Sequence, residues 1–397
     1  MSFKIKGKII INKEVEKIIK SKSSEIIYKK NIRKIEEGLN PGDMVEIYNE
    51  YNELLGIGFY ESMENIGIRI MTFGEDTFDE DYIIKKFKNA KKLRNKLGFT
   101  DNFRWINSTG DSFSGLIVDK FNDLVVIESF SVGIDKILNR IADIIMNIDR
   151  DIKAVYVRND VRNRKRFNLK IWKGFIGNPI EIKTQTIIKE SSAKFYVDIE
   201  KGNKTGFYLD QKPNRIESEK YAKNCKNVLD CFSYTGGFGI HAILQGASVT
   251  FVEHDPNSVQ MLKKNLALND ISSGFKIYET DFWQYIKKDD NKYDMIILDP
   301  PSFISNRNEI KIGEQKYYKM NYLALPRLND GGILVTSSCS YFLDINRLQS
   351  IILKAADNLN IKLIRLGRVR GASVCHSIAP KVPGIEYLKC YFFIKEG

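Results

Sequence analysis

The segment Val228-Leu229-Asp230-Cys231-Phe232-Ser233-Tyr234-Thr235-Gly236-Gly237-Phe238-Gly239 decides how the chain is expected to fold. An apolar run, Val228 to Cys231, reads as a buried strand, and the residues after it form a glycine-bearing loop that leads into a helix. Glycines let the backbone approach a ligand where a side chain would block it, and the start of the helix offers N–H groups without partners. In an open α/β sheet the ligand binds beyond the carboxyl ends of the strands, beside the first of them. The spacing is not G-x-G-x-x-G, so a dinucleotide pyrophosphate lacks its usual seat.

Downstream, Val249 to Glu253, Phe275 to Tyr278, Met295 to Leu298, Ile333 to Thr336 and Lys362 to Arg365 read as further buried strands. Helical patterns separate nearly all of them, and such alternation predicts a parallel, doubly wound α/β sheet. Upstream the pattern differs. From Ile9 to Phe73 short strands (Met44 to Tyr48, Leu54 to Tyr60, Ile66 to Met71) follow the turn signal Asn40-Pro41-Gly42-Asp43 and suggest a small β-barrel. A lysine-rich helix from Asp79 to Leu97 then leads into strands near Arg104 to Asn107, Leu116 to Asp119 and Leu124 to Ser129. A helix near Ile134 to Ile148 and a strand at Ala154 to Arg158 complete an α+β unit. The expected divisions are 1–75, 76–187 and 188–397, with a glycine-bearing segment from Lys201 to Gln211 early in the last.

A chain of 397 residues exceeds one typical domain, and 43% hydrophobic with 28% charged residues excludes disorder. The net charge of +12 suits a polyanionic partner through phosphate contacts. The abundance of Lys, Ile and Asn in an AT-biased genome explains the same excess, so charge is weak support for nucleic acid. Lysines interrupt the apolar residues of Met1 to Lys6, and no run of about eighteen apolar residues follows, so a cytoplasmic protein without a membrane partner is expected. The five cysteines (Cys225, Cys231, Cys339, Cys375, Cys390) include no C-x-x-C pair, which argues against zinc and disulfides alike.

Three strand ends carry acids. Asp230 lies at the end of the first strand, Glu253 ends the second, where a carboxylate can accept hydrogen bonds from both ribose hydroxyls, and Asp281 follows the third, within reach of an adenine amino group. Each alone is most often a helix cap. Three acids at successive strand ends beside a glycine loop favour a cofactor site. His241 and His254 read as packed or solvated groups without a catalytic role. The fourth strand ends in Asp299-Pro300-Pro301-Ser302-Phe303, whose prolines hold Asp299 out of helical geometry. The fifth ends in Thr336-Ser337-Ser338-Cys339-Ser340, which sets Cys339 at the same sheet edge as Asp299. A buried thiol is the usual fate of a free cysteine and is accepted here for Cys225, Cys231 and Cys390. At Cys339 the strand-end loop points to function instead. Carbon 5 of a pyrimidine is a poor nucleophile, and a thiolate adding at carbon 6 makes it reactive. An acid at the ring nitrogen, here Asp299, stabilises the charge that builds, and a base then takes the carbon 5 proton.

On these residues the chain resembles the cytosine-5 methyltransferases of 23S ribosomal RNA, the large-subunit methyltransferase I type. Further support comes from Leu55-Gly56-Ile57-Gly58, Gly110-Asp111, Gly115-Leu116-Ile117-Val118-Asp119 and Lys204-Thr205-Gly206-Phe207-Tyr208-Leu209-Asp210-Gln211. The resemblance implies a PUA domain, a central α+β domain and a Rossmann-like α/β methyltransferase domain, doubly wound on a mainly parallel seven-stranded sheet, that uses S-adenosylmethionine, and no metal is expected. It implies that Asp230, Cys231, Phe232, Ser233, Tyr234, Thr235, Gly236 and Gly237 cradle the methionine end of the cofactor. Glu253 would hold the ribose and Asp281 the adenine, with His254, Phe282, Asp299 and Pro300 completing the binding set. Cys339 is then the nucleophile and Asp299 faces the target base. Large-subunit 23S RNA is the expected partner, and a homodimer is left open. Lys212, where arginine is usual, and Phe167-Asn168-Leu169 after the basic run Arg162 to Arg166 depart from the pattern. Two other readings stand beside this one: exocyclic amino methylation of a flipped base, which needs no Cys339, and a non-catalytic RNA-binding or ribosome-assembly factor.

Overall fold

A computed structural model describes residues 3–397 apart from 62, 64, 162, 163, 166, 178, 180 and 382–385; much of the basic run Arg162 to Arg166 therefore lies outside the described residues. The chain divides into two compact units that are not contiguous in sequence. One comprises the chain to Ile188, Val197–Leu209 and a short segment from Val374; the other comprises Lys189–Tyr196, Asp210–Ser373 and the C-terminal strand.

The first unit begins with β1 (Ile5–Ile11), β2 (Ile26–Tyr28), β3 (Ile32–Ile35), β4 (Met44–Tyr48), β5 (Leu54–Tyr60) and β6 (Ile66–Phe73). They form one six-stranded sheet in the order β2-β6-β5-β4-β1-β3 around an apolar centre that includes Ile9, Ile47, Leu55 and Ile68. The close pairing of β5 with β6 requires glycine: a Cβ on Gly56, at φ +153°, would stand 2.2 Å from the Thr72 carbonyl oxygen. A second sheet, order β11-β10-β9-β8-β7, uses β7 (Asn102–Asn107), β8 (Leu116–Phe121), β9 (Leu124–Ser129), β10 (Ala154–Asn159) and β11 (Trp172–Phe175). Two helices cover it, Glu80–Lys96 and Leu138–Ile148, and the first is capped by Asp79, whose carboxylate accepts from the Tyr82 N–H. Met44, Phe59 and Met71 of the first sheet share one buried cluster with Phe87, Trp105 and Ile141. The helix expected at Ile134 to Ile148 is two pieces that meet at Ile137: Val132–Lys136, capped by Ser131, and Leu138–Ile148. The segment after Ile187 belongs to a hairpin, β12 (Gln185–Glu190) with β13 (Ala193–Asp198), whose alternating burial the sequence reading passed over.

The second unit carries the doubly wound sheet. Its strands are β14 (Asn227–Cys231), β15 (Ser248–Glu253), β16 (Phe275–Glu279), β17 (Tyr293–Leu298), β18 (Leu328–Ser338), β19 (Leu363–Arg365) and β20 (Lys389–Lys395). The order is β16-β15-β14-β17-β18-β20-β19, parallel except that β20 runs antiparallel to both of its neighbours. Two details correct the sequence reading. β16 and β19 are not buried strands; they are the edges of the sheet, with most residues half-buried or exposed. The C-terminal strand β20 went unread, although Cys390, Tyr391, Phe392 and Phe393 are all buried. The sheet order reverses direction between β14 and β17, so ligand-binding loops gather past the carboxyl ends of β14, β15, β17 and β18.

Candidate active site

The loop after β14 is shaped by its glycines. Gly236 caps the helix Gly237–Leu244 in left-handed geometry, φ +88°, and a Cβ there would meet Leu262 at 2.4 Å. A Cβ on Gly239 would stand 2.1 Å from the Phe251 ring, so only glycine lets this helix close on the sheet. Two non-glycine residues, Phe232 (φ 59°) and Tyr234 (φ 49°), also adopt left-handed backbone. Such conformations cost about 1–2 kcal/mol each for L-residues and collect at binding loops. The hydroxyls of Ser233 and Thr235 are buried and, among the described residues, have no hydrogen-bond partner.

Asp230 lies fully buried below this loop, where its carboxylate accepts one bond from the Gly239 N–H at 2.8 Å. Burial pushes its carboxyl up to about 8; the Gly239 N–H opposes this, while the charges of Asp299 and Glu253 add to it. Glu253, at the end of β15, accepts from the Tyr234 N–H at 2.8 Å through one oxygen and from the His254 and Asp255 N–H groups through the other. The ring of His254 is exposed and reaches Glu253 at 3.1 Å. Asp281 caps the helix Phe282–Lys288 by accepting from the Gln284 N–H at 3.0 Å, and Phe282 packs against Phe232 and Trp283.

The loops after β17 and β18 are laced together. Asp299 accepts from the Ser337 hydroxyl and, at 2.8 Å, from the Gln211 side-chain amide. Burial holds its carboxyl above the ordinary range against these two donors, and Asp210 nearby adds to the rise. Ser302 and Ser340 bond at 2.9 Å; Tyr317 bonds both Ser340, at 2.9 Å, and Ser338, at 2.8 Å. Cys339 stands between those two serines. Cys225, Cys231, Cys375 and Cys390 are buried, whereas Cys339 is partly exposed. Burial pushes the Cys225 thiol up to about 11 and those of Cys231 and Cys390 well above their ordinary value.

Comparison with known proteins decides the family. A PUA-like domain family matches residues 9–73, and the family described as conserved hypothetical protein 95 matches residues 214–317. Ribosomal RNA large subunit methyltransferase I of Alteromonas mediterranea is 33% identical over 365 residues, 88% of this chain and 89% of that protein. A Methanocaldococcus jannaschii protein, provisionally named a ribosomal RNA large subunit methyltransferase, is 35% identical over 388 residues, 94% of this chain and 95% of its own. The chain belongs to the ribosomal RNA large subunit methyltransferase I family. A protein provisionally named a methyltransferase and solved with SAH shares the fold, with a TM-score of 0.81 at 22% identity over 98% of this chain and 99% of that one.

Within this methyltransferase the structure gathers Asp230, Ser233, Thr235 and Glu253 around one loop, and Asp299 and Cys339 on two adjoining loops joined by hydroxyls. The Cys231 side chain is in the apolar core with Leu229 and Leu298, so only its backbone faces the loop. Sequence reasoning gave no role to Gln211, Ser302, Tyr317 or Lys389. Gln211 sat within the quoted Asp210-Gln211 stretch, and Ser302 within the Asp-Pro-Pro-Ser run, but a hydrogen bond across 38 residues leaves no local pattern. Among the described residues no group of acids, histidines and cysteines could hold a metal, and no helix is long and apolar enough to cross a membrane.

Proposed function

We propose that this enzyme transfers a methyl group from S-adenosylmethionine to carbon 5 of a cytosine in large-subunit 23S ribosomal RNA, with Cys339 as nucleophile. The observation that carries the reading is the placement of Cys339: a partly exposed thiol on the turn after β18, beside the loop of Asp299. The residues of the first loop fit the cofactor. Ser233 and Thr235 hold unspent hydroxyls, and Asp230 is a buried carboxyl short of partners. Backbone N–H groups take three of the roughly four lone-pair sites of Glu253, two on Oε1 and one on Oε2, so a site on Oε2 is left for a ribose hydroxyl. Asp281 keeps one carboxylate oxygen beyond its capping bond for an adenine amino group. When bound, the cofactor supplies an electrophilic methyl carbon on a sulfonium.

The protein's own groups do the rest. The Cys339 thiolate forms a bond to carbon 6, the carbon 5–carbon 6 double bond is broken, and its electrons move to carbon 5 and ring nitrogen 3. Asp299, whose carboxyl burial raises above its ordinary value, faces the ring nitrogen and stabilises the charge that builds there. After methylation a base removes the carbon 5 proton, and the carbon–sulfur bond breaks to return the thiolate. Two features favour this over amino methylation: Ser302 separates Phe303 from the prolines, and the Phe303 ring packs against Tyr317, Trp283 and Phe232. The barrel and central divisions, 1–75 and 76–187, are assigned to RNA capture in the cytoplasm. Mass-spectrometric mapping of ribosomal RNA from cells with and without the gene tests the reading. A 5-methylcytidine that vanishes with the gene is the expected result; loss of an N-methylated base instead would overturn it.

A further inference from the structure

Lys389 opens β20 directly opposite Ser338, so the two side chains share one face of the sheet. Its Nζ donates to the carbonyl oxygen of Ser340, the residue after Cys339, at 2.6 Å. The residue is 2% exposed. Lysine is almost never buried so fully unless it is paired, yet among the described residues no carboxylate lies within 4.0 Å of this Nζ. A single carbonyl does not repay the desolvation of an ammonium. A methionine would fill the same space without that cost.

Resting on the reading that Cys339 is the nucleophile, we infer that Lys389 is the counter-charge of the Cys339 thiolate, a positioning residue that favours the ionised sulfur before attack and stabilises it again as the leaving group. Lys389 transfers no proton: its ammonium stays charged while the sulfur's negative charge moves to the ring and returns when the carbon–sulfur bond breaks. Burial lowers the Lys389 ammonium to about 8, and the Cys339 thiolate is the first of the charges that pull it back up, followed by Asp344. The other titratable groups around the pair are neutral or committed. Tyr317 is bonded to Ser338 and Ser340, Asp344 caps the helix Ile345–Asp357 through the Arg347 N–H, and Asp299 is occupied by Ser337 and Gln211. An ammonium under a cysteine turn is a recognised means of lowering a thiol's pKa.

The test reads the thiol without RNA or methyl transfer. Full-length protein is alkylated with iodoacetamide across pH 5–10, and the Cys339 peptide is followed by mass spectrometry, with Cys339→Ala as the blank. Lys389→Met and Lys389→Gln remove the charge; Gln can still reach the Ser340 carbonyl, and Lys389→Arg keeps the charge. Circular dichroism and SAH binding report the fold. The alkylation midpoint should rise by about one pH unit in Met and Gln, which is about a ten-fold slower reaction at pH 7, and stay near wild type in Arg. A folded Gln or Met variant whose profile overlays wild type overturns the inference. A clear shift together with full methylation by Cys339→Ala would uphold the charge pair and overturn only the cysteine chemistry.

Discussion

Ser302 and Ser340 share a hydrogen bond of 2.9 Å across 38 residues of chain. One follows the Asp299-Pro300-Pro301 turn and the other follows Cys339, so the bond fixes the spacing between the two loops to which the proposed reaction is assigned. Ser302→Ala and Ser340→Ala should each cost about 0.5–1.5 kcal/mol of stability, the usual worth of one such bond. Turnover should fall about ten- to a hundred-fold through misalignment, with SAH affinity unchanged. Isothermal titration beside single-turnover rates separates the two effects; a drop in SAH affinity equal to the drop in rate would count against a role confined to these loops.

Asp230 predicts proton release on cofactor binding. Its carboxyl, ordinarily near 3.8, stands at about 8 in the free protein, so it is largely protonated at pH 7. Because the folded value lies above the unfolded one, this group's contribution to stability is fully present below about 4 and is lost as pH rises through about 8. A cationic ligand favours the ionised form and should expel up to one proton at pH 7. Calorimetry in buffers of differing ionisation enthalpy measures that proton directly. Asp230→Asn should abolish the release, raise the melting temperature of the ligand-free protein at pH 9, and weaken binding.

The helix Gly237–Leu244 is anchored by a buried set: Arg215 bonds Glu190 twice at 2.8 Å, and His241 bonds Glu219 at 2.6 Å. Burial opposes ionisation of Glu190, yet Arg215 and His241 hold its carboxyl down to about 2. Its contribution is therefore present above the unfolded value of 4.5 and is lost as pH falls from 4.5 toward 2. His241 works in the opposite direction. Burial opposes its protonation, but Glu190 and Glu219 raise it above 6.5, so its contribution holds below 6.5 and fades above that value. Glu190→Gln should flatten the acid limb of a melting-temperature profile between pH 4.5 and 2, and His241→Phe should flatten the limb above 6.5. A profile unchanged in both variants would show that the set is electrostatically silent.

The strand–helix alternation from Val228 onward was legible because buried parallel strands read as apolar runs, and the glycine loop announced their switch point. What stayed hidden was set by distance in sequence. β20 looks like any short apolar run, and only the antiparallel register of Ser338 with Lys389 gives it meaning. The edge strands β16 and β19 carry enough apolar residues to imitate interior ones. Asp281 caps a helix, as an Asp before a helix commonly does, and stands just past the carboxyl end of β16, so the capping pattern alone does not separate the two expectations.

Glu253 and Asp281 should act on the cofactor alone. Glu253→Ala also orphans the Tyr234, His254 and Asp255 N–H groups, so the loop should loosen as well as lose its ribose acceptor. Each substitution should weaken SAH binding by roughly 1–3 kcal/mol, the larger effect falling on Glu253. Equal affinity in wild type and both variants would remove these residues from the cofactor site.

Cys339 carries the decisive outcome, since the other four cysteines are buried and Cys225, Cys231 and Cys390 are held strongly protonated. Cys339→Ala removes one small group from a partly exposed turn whose serine and tyrosine bonds remain, so fold and SAH binding should persist. Turnover should nevertheless vanish, because no other group on the adjoining loops is a nucleophile able to activate carbon 5. RNA carrying 5-fluorocytosine at the target separates chemistry from binding: fluorine cannot leave as a proton does, so the wild-type enzyme should stop as a covalent protein–RNA adduct. The Ala variant should bind the same RNA and form none. An adduct that survives the substitution, or full methylation by the variant, would transfer the reaction to an amino nitrogen and leave Cys339 an ordinary thiol in a serine-lined turn.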